Sequence, residues 1–514
     1  MPRKGLVGSA AIVAALTLVS RVLGVVREGV FGYYLGTSEL LSAFRIAFQV
    51  PNLARRLFGE GALSSALVPV LTDTLRSSGG DASRRFVGAV LTLLTFVLTA
   101  GLLAAEIALV VWRWFEDDLT LTLTAIMLPY AVMICAVAVI GGVLNVRGHF
   151  AAPAAAPIIL NLANIAALIL GAEFWRLGDW PLIYLVCTSV LAAGLLQLVA
   201  TGAALRWVAF VPRLNIAWRD PAVRRVIALM APMALGLSAV QINTLLDNII
   251  AYLFIFEDGE RVGPAVLGYA QILYQLPLGV FGISIATAIF PLLSARAAVK
   301  DRAGLVETFE RGIRLSLFIA LPATVGLIFI ARPLVAMLYQ RGEFDGEDSN
   351  RVAGTLVFYS LGLAAYFAQH VVVRTFYALQ DTRTPARLAA LMVLANLTLN
   401  IILVFFLEER GLALSTAVCA TVQVVWLATL LSKLVPEIRW RSVGPAVARM
   451  LLASGVMGMV LLVFRFMVPV AIVGSSSTVR VLVAVAVGCL AYGLAAYTLR
   501  ITELADILGR LRDR

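Results

Sequence analysis

Blocks of twenty or more apolar residues recur along the whole chain, separated by short charged stretches. A helix needs about 20 predominantly apolar residues to cross the hydrocarbon of a bilayer. Lipid offers no partner to backbone N–H and C=O groups, so each crossing segment must satisfy its own. A bundle of transmembrane helices is therefore close to forced. Composition agrees: 61% of the 514 residues are hydrophobic and 14% charged, against roughly half and about a quarter in a soluble domain. The pattern predicts an all-α polytopic membrane protein with fourteen spans. They lie near 5–35, 39–72, 86–112, 119–145, 151–171, 181–204, 226–255, 264–294, 313–331, 352–379, 384–407, 411–433, 443–469 and 479–499. The start, Met1-Pro-Arg-Lys4 before an apolar run, mimics a signal peptide, but Arg21 and Arg27 follow inside that run. It reads as the first membrane helix. Pro51 and Pro277 fall inside the second and eighth spans, where kinks are expected.

A net charge of +11 raises the question of nucleic acid, but the basic residues sit in loops between the spans and no nucleic-acid partner is expected. Their distribution sets orientation. Arg76, Arg84 and Arg85, then Arg206, Arg213, Arg219, Arg224 and Arg225, then Arg296, Lys300 and Arg302 fall in alternate loops. The intervening loops carry Glu116, Asp117 and Asp118, then Glu257, Asp258 and Glu260, then Glu343, Asp345, Glu347 and Asp348. The positive-inside rule then puts both termini in the cytoplasm. The cysteines, Cys135, Cys187, Cys419 and Cys489, fall in four different apolar blocks without C-x-x-C spacing, which argues against a disulfide framework or thiolate metal site.

The chain echoes itself. Gln49-Val-Pro51 and Val68-Pro69 in the second span match Gln275-Leu-Pro277 and Phe290-Pro291 in the eighth, and Pro153 and Asn164 match Pro385 and Asn396 at one offset of 232. Two pseudo-symmetric six-helix lobes follow, 1–220 and 221–436, with 437–514 adding two C-terminal helices and a cytoplasmic tail. Duplicated halves flanking a site are a common transporter plan.

Charges inside spans are costly, roughly 2.5–3.5 kcal/mol each at the bilayer centre on insertion scales. The first two spans hold Arg21, Arg27, Glu28, Arg45, Arg55, Arg56 and Glu60. Arg56 and Glu60, four apart, are spaced to pair along a helix. Arg21 and Glu28, seven apart, share a face to within about 20°, and Arg45 has the length to reach a headgroup. Arg27 and Arg55 lack so obvious a local partner. With Arg21 they can line a cavity, and a planar guanidinium grips phosphate through paired hydrogen bonds, so the cluster suits a pyrophosphate. The alternative is that all of them snorkel or pair locally. In the second half Asp247 is the main buried acid, placed to counter the arginines or to help bind a cation. Asn396 and Asn400 share one face of the eleventh span, for which interhelical hydrogen bonding is the plain account. No Walker A loop, no dinucleotide fingerprint and no nucleophile elbow occurs. The expectation is a secondary transporter, not an enzyme.

The run Pro51-Asn-Leu-Ala-Arg55-Arg56-Leu-Phe-Gly-Glu60-Gly-Ala-Leu-Ser-Ser-Ala-Leu-Val-Pro69 resembles the signature of the MurJ (MviN) lipid II flippases. So do Ser20-Arg21-Val-Leu-Gly24, Leu144-Asn-Val-Arg147-Gly-His-Phe150, Leu338-Tyr-Gln-Arg341-Gly-Glu-Phe344 and Leu379-Gln-Asp381-Thr-Arg383-Thr-Pro385. The resemblance implies a fold of the multidrug/oligosaccharidyl-lipid/polysaccharide exporter class, two lobes enclosing a central cavity, and a lipid-tail groove on spans thirteen and fourteen. It implies a flippase that carries lipid II, the undecaprenyl-pyrophosphate-linked peptidoglycan precursor, from the cytoplasmic to the periplasmic leaflet by alternating access. Arg21, Arg27 and Arg55 stand at the matching substrate-binding positions. Glu28, Asp247, Gln271 and Gln275 are further candidate cavity residues. A coupling cation, sodium or proton, is the one cofactor in view; Asp247, Asn396, Asn400 and Thr416 match a sodium site of some members, although Asn400 stands where an acid is expected. Two departures bear on the substrate. The family's span-eight arginine and the acid before it give way to the uncharged Tyr269-Ala-Gln271-Ile272-Leu-Tyr-Gln275, and an acidic position early in span two is Ser42. A same-fold flippase or exporter for another polyprenyl-linked glycan or a drug is therefore the alternative.

Overall fold

The computed structural model describes residues 3–56, 62–116, 118–438, 440–467 and 477–505. It is built of helices, with one two-residue hairpin as its only sheet among the described residues. Two compact units divide the chain, Met1–Leu245 and Leu246–Arg514. Nine helices are long and apolar enough to cross a bilayer among the described residues, ten when the bent pair Gly346–Leu361 and Leu363–Ala378 counts as one.

Unit 1 contains α1 (Arg3–Leu35), α2 (Glu39–Ala54), α3 (Ala62–Ser77), α4 (Gly79–Arg113), α5 (Leu119–Met127), α6 (Tyr130–Val146), α7 (Ala151–Ile169) and α8 (Asp179–Trp207). Helix α9 (Pro221–Phe254) leads from it into unit 2. Leu67, Val87, Val143 and Ala204 form a core where α3, α4, α6 and α8 meet. Arg55 and Arg56 follow α2 in a π-helical turn. Pro51 cannot donate to the carbonyl of Ala47, and a freed carbonyl is a standard cause of such widening. The basic loop 208–220 is fastened to the start of α4: Arg213 N donates to Arg84 O at 3.2 Å and Thr92 Oγ1 to Asn215 O at 2.7 Å. Gly88 is required there, because a Cβ would collide with the Arg213 carbonyl.

Unit 2 continues with the hairpin β1 (Phe256–Glu257) and β2 (Glu260–Arg261), whose Asp258-Gly259 turn has φ of +49° and +87°. Paired positive φ values are what a two-residue hairpin matching the natural strand twist demands, and Asp-Gly supplies them. Helices α10 (Gly263–Pro277), α11 (Ile283–Ala298), α12 (Arg302–Tyr339), α13 (Gly346–Leu361), α14 (Leu363–Ala378) and α15 (Arg383–Leu434) follow. Pro277 closes α10 and the next five residues, Leu278–Gly282, are π-helical. The kinks expected at Pro51 and Pro277 thus take the form of widened turns just beyond each proline. Helix α15 is two helices in one: Glu408 has φ +49° and ψ −131°, and the chain doubles back there. Gly411 packs so tightly on Leu403 that a Cβ would meet its carbonyl oxygen at 2.5 Å. Asn396 and Asn400 consequently face Ser415 and Thr416 across a helical hairpin.

Charge holds the corner of that hairpin. Arg351 of α13 reaches Glu257 of β1 at 2.6 Å and Glu409 of α15 at 3.1 Å. Finally α16 (Trp440–Met467) and α17 (Ser477–Thr498) pack on α12 through Met450, Met457 and Ala484. The Tyr492 hydroxyl donates to the Phe318 carbonyl at 2.9 Å.

Candidate functional site

In unit 1, the charged residues of α1 and α2 gather around one carboxylate. Glu28 is 2% exposed and is the one buried acid among the described residues of that unit. Its Oε1 accepts from Arg27 Nη2 at 2.6 Å and its Oε2 from Arg45 Nη2 at 2.7 Å. Arg27 extends the cluster into α7: its Nη1 donates to Asn161 Oδ1 at 3.1 Å, and Asn161 Nδ2 donates onward to the Ser20 carbonyl at 3.0 Å. Asn161 thereby braces α1 beside Gly24, whose Cβ position lies 3.9 Å from that amide nitrogen.

Three pairings differ from the sequence expectation. Arg27 has a partner in its own neighbour Glu28, because two adjacent long side chains can curl onto the same face of a helix. Glu28 turns to Arg27 and Arg45, not to Arg21. Arg45 is drawn into this ion pair and so does not reach for a headgroup. Arg21 is half-buried and, among the described residues, makes no hydrogen bond or ion pair. Arg55 is half-buried and donates from Nε to Asn52 Oδ1 at 2.8 Å. Arg56 donates to Gln241 Oε1 of α9 at 2.8 Å; its expected partner Glu60 lies outside the described residues.

The second constellation lies in unit 2. Asp247, Asn396 and Asn400 are 3%, 2% and 0% exposed. Asn400 Nδ2 donates to Asp247 Oδ1 at 2.5 Å and to Asn396 Oδ1 at 2.9 Å. Thr416 Oγ1 donates to Asp247 Oδ2 at 3.4 Å, and Asn396 Nδ2 donates to Ser415 Oγ at 3.0 Å. The Ser415 hydroxyl in turn closes onto Asn400 Oδ1. All four residues of the candidate cation set are thus brought together. The set nevertheless fits a hard cation poorly as arranged. Such an ion is held by converging oxygens, and here an amide nitrogen lies between two of them.

A family model described as lipid II flippase MurJ matches residues 31–482. A probable lipid II flippase MurJ of Rhizobium tropici is 34% identical over 462 residues, 87% of this chain and 84% of that protein. The chain belongs to the lipid II flippase MurJ family. A second MurJ, of Vibrio cholerae, is 34% identical over 437 residues, 81% of each chain. Among solved structures, a lipid II flippase MurJ in an inward closed conformation superposes with a TM-score of 0.78 at 24% identity, covering 98% of this chain and all of the other. An inward-facing MATE family transporter of the MOP superfamily gives 0.68 at 16% identity over 84% of this chain. These two establish the fold, which is that of the MurJ and MATE transporters.

The uncharged stretch of α10 is partly engaged within unit 2. Gln271 Nε2 donates to the Tyr359 hydroxyl at 3.1 Å, Ile272 is half-buried and Gln275 is exposed. Of the two candidate glutamines, Gln271 is therefore engaged within unit 2 and Gln275 is the more open. Ser42, at the other departure, is fully buried. Sequence reasoning missed Asn161 and Ser415. Each sits one helical turn or less from a residue already singled out, Asn164 and Thr416, and an amide or hydroxyl in an apolar helix is itself a signal for an interhelical bond.

Proposed function

We propose that this chain carries lipid II across the inner membrane, from the cytoplasmic to the periplasmic leaflet, by alternating access, with Arg21, Arg27 and Arg55 gripping the pyrophosphate. The observation that carries the assignment of residues is the basic cluster at α1 and α2: Glu28, the one buried acid among the described residues of unit 1, pairs with Arg27 and Arg45, and Arg21 is not among its partners. Glu28 positions two of the guanidinium groups and neutralises one. Arg21, which makes no hydrogen bond or ion pair among the described residues, and the guanidinium that Glu28 does not neutralise are suited to an anion whose oxygens accept charge-assisted hydrogen bonds. Fourteen crossings, two six-helix lobes meeting near residue 220, a C-terminal pair with a cytoplasmic tail beyond 436, and both termini in the cytoplasm complete the proposal. Transport then needs no chemistry on the substrate, only a difference in leaflet access between two conformations.

Depletion of the resident lipid II flippase in a bacterial host, with this chain supplied from a plasmid, tests the reading. Rescue of growth and of lipid II externalisation is expected. Failure to rescue at normal membrane levels would overturn it. A second reading, a flippase of the same fold for another polyprenyl-linked glycan, draws on one observation: the open position of α10 is the neutral Gln275. That reading predicts rescue of a strain lacking the corresponding glycan flippase and none of the lipid II strain.

A further inference from the structure

We propose that Asn400 closes the Asp247 cluster to sodium, its amide N–H group standing where the ion would bridge Asp247 and Asn396. The consequence for coupling rests on the flippase reading above; the binding chemistry does not.

Oxygen and nitrogen of an asparagine side chain are told apart by the hydrogen bonds around them, and here the two acceptors facing Asn400 assign the nitrogen to their side. The atom of Asn400 nearest Asp247 Oδ1 is 2.5 Å away and is also 2.9 Å from Asn396 Oδ1. An oxygen there would set three acceptors against one another in a fully buried site. A nitrogen with two hydrogens serves both acceptors at once. The opposite end of the amide meets the Ser415 hydroxyl, which also lies 3.0 Å from the Leu412 carbonyl. Asn396 is fixed by the same logic, because its nitrogen donates to Ser415 at 3.0 Å and its oxygen is spoken for by Asn400.

Sodium, like other hard cations, is held by several converging oxygens, and carboxylate oxygens do most to offset its dehydration. At this site the two oxygens that would face it, Asp247 Oδ1 and Asn396 Oδ1, are already cross-linked by N–H donors. Admitting the ion requires the amide to rotate, which breaks both bonds and the Ser415 contact together. Only one carboxylate would then face the cation, since Asp247 is the one acidic residue of the cluster. An aspartate at position 400 reverses each of these terms: it turns a donor into an acceptor and adds the second negative charge. Asn400 is thus the residue that decides whether the hairpin of α15 is joined to α9 by a metal ion or by hydrogen bonds. On this account the joint is permanent and does not respond to sodium.

Thermal unfolding of the full-length protein in lipid nanodiscs, in sodium chloride against potassium chloride at equal ionic strength, tests this. The unmodified chain is expected to melt at the same temperature in both salts. Asn400→Asp is expected to melt a few degrees higher in sodium, since a ligand that binds only the folded state stabilises it. A sodium-specific rise in the unmodified chain overturns the inference, as does an Asn400→Asp protein that folds and remains indifferent to sodium. Should Asn400→Asp fold only when sodium is present, the inference is upheld; should it not fold in either salt, the unmodified chain decides alone. Complementation separates the two readings. A sodium-responsive chain that rescues a flippase-depleted host keeps the function and loses the closed site, whereas an indifferent chain that fails to rescue does the reverse.

Discussion

Glu28 Oε2 and Arg45 Nη2 lie 2.7 Å apart, and through that contact the first helix is tied to the second at the centre of the basic cluster. The carboxylate is almost wholly removed from solvent, so its loss would leave two guanidinium groups mutually repelling in a low-dielectric setting. Breaking a buried pair by deleting one partner typically costs about 3–5 kcal/mol. Glu28→Ala should therefore lower the melting temperature markedly and reduce membrane levels. Arg45→Ala should do less, because Arg27 still serves the carboxylate. In a double-mutant cycle with Glu28→Gln and Arg45→Gln, a coupling energy above about 1 kcal/mol is expected for residues in direct contact. Additive losses would show that the pair contributes nothing as a pair.

Arg27 separates structure from function in the same cluster. Arg27→Ala should abolish rescue of a flippase-depleted host, whereas Arg27→Lys should fold as well and rescue partially, since lysine keeps the charge and loses the fork. Asn161→Ala removes the brace on Arg27 without touching charge, and a weaker defect is expected from it. Growth titrated against membrane protein level is the measurement, and equal defects for Arg27→Ala and Asn161→Ala would assign Arg27 a packing role.

Much of this architecture was legible beforehand because membrane helices announce themselves by length and apolarity, and loops by sign of charge. The long-range pairings were not. Arg27 and Asn161 are 134 residues apart, and nothing in the local spacing of either points to the other. Arg56 likewise gains a partner that spacing does not offer, because its guanidinium donates to Gln241 of a distant helix, while Glu60 lies outside the described residues. Local rules rank neighbours along a helix, and a bundle adds neighbours that only the fold brings near. The Asp247 cluster was found as a set because matching family positions named it. Which end of the Asn400 amide faces the carboxylate is a three-dimensional fact.

Orientation can be read directly. A single cysteine at Glu116, which is exposed, should react with a membrane-impermeant maleimide added outside intact cells. A cysteine at Arg213, also exposed, should react only after permeabilisation. The backbone bond of Arg213 to Arg84 survives that substitution, so loss of the loop is not expected to confuse the result. The reverse labelling pattern would invert the proposed topology.

The clasp at Arg351 gives a pH prediction. Partial burial outweighs the nearby guanidinium and raises the Glu257 pKa above the usual carboxylate value. A carboxyl group whose folded pKa is raised binds more protons folded than unfolded, so its contribution falls as pH rises through that window. Ionised Glu257 therefore costs the fold a little at neutral pH in spite of its 2.6 Å contact with Arg351. Glu257→Gln should raise the melting temperature slightly at pH 7, by less than about 1 kcal/mol for a half-buried group near the surface. The gain should shrink as pH falls toward the unfolded value of about 4.3, where the native side chain is itself neutral. A gain that grows on acidification would reverse the sign and make the ion pair the dominant effect.

The last prediction concerns the uncharged stretch of α10. Gln271 is held by Tyr359 and Gln275 is open, so the half-buried Ile272 between them is the position at which a charge can be restored without breaking a bond. A charge-assisted hydrogen bond contributes roughly 1.5–3 kcal/mol. Ile272→Arg should then tighten lipid II binding by about tenfold or more, as read by native mass spectrometry on the purified protein. It need not speed transport, because tighter binding in both leaflet-facing states leaves the balance between them unchanged. Gln275→Arg, one turn away by about 60° of rotation, provides the register control. If Gln275→Arg tightens binding and Ile272→Arg folds without doing so, the anion meets α10 on the Gln275 face. If both fold and neither binds better, the headgroup is held by α1 and α2 alone, and the neutral α10 is a genuine feature of how this chain grips its substrate.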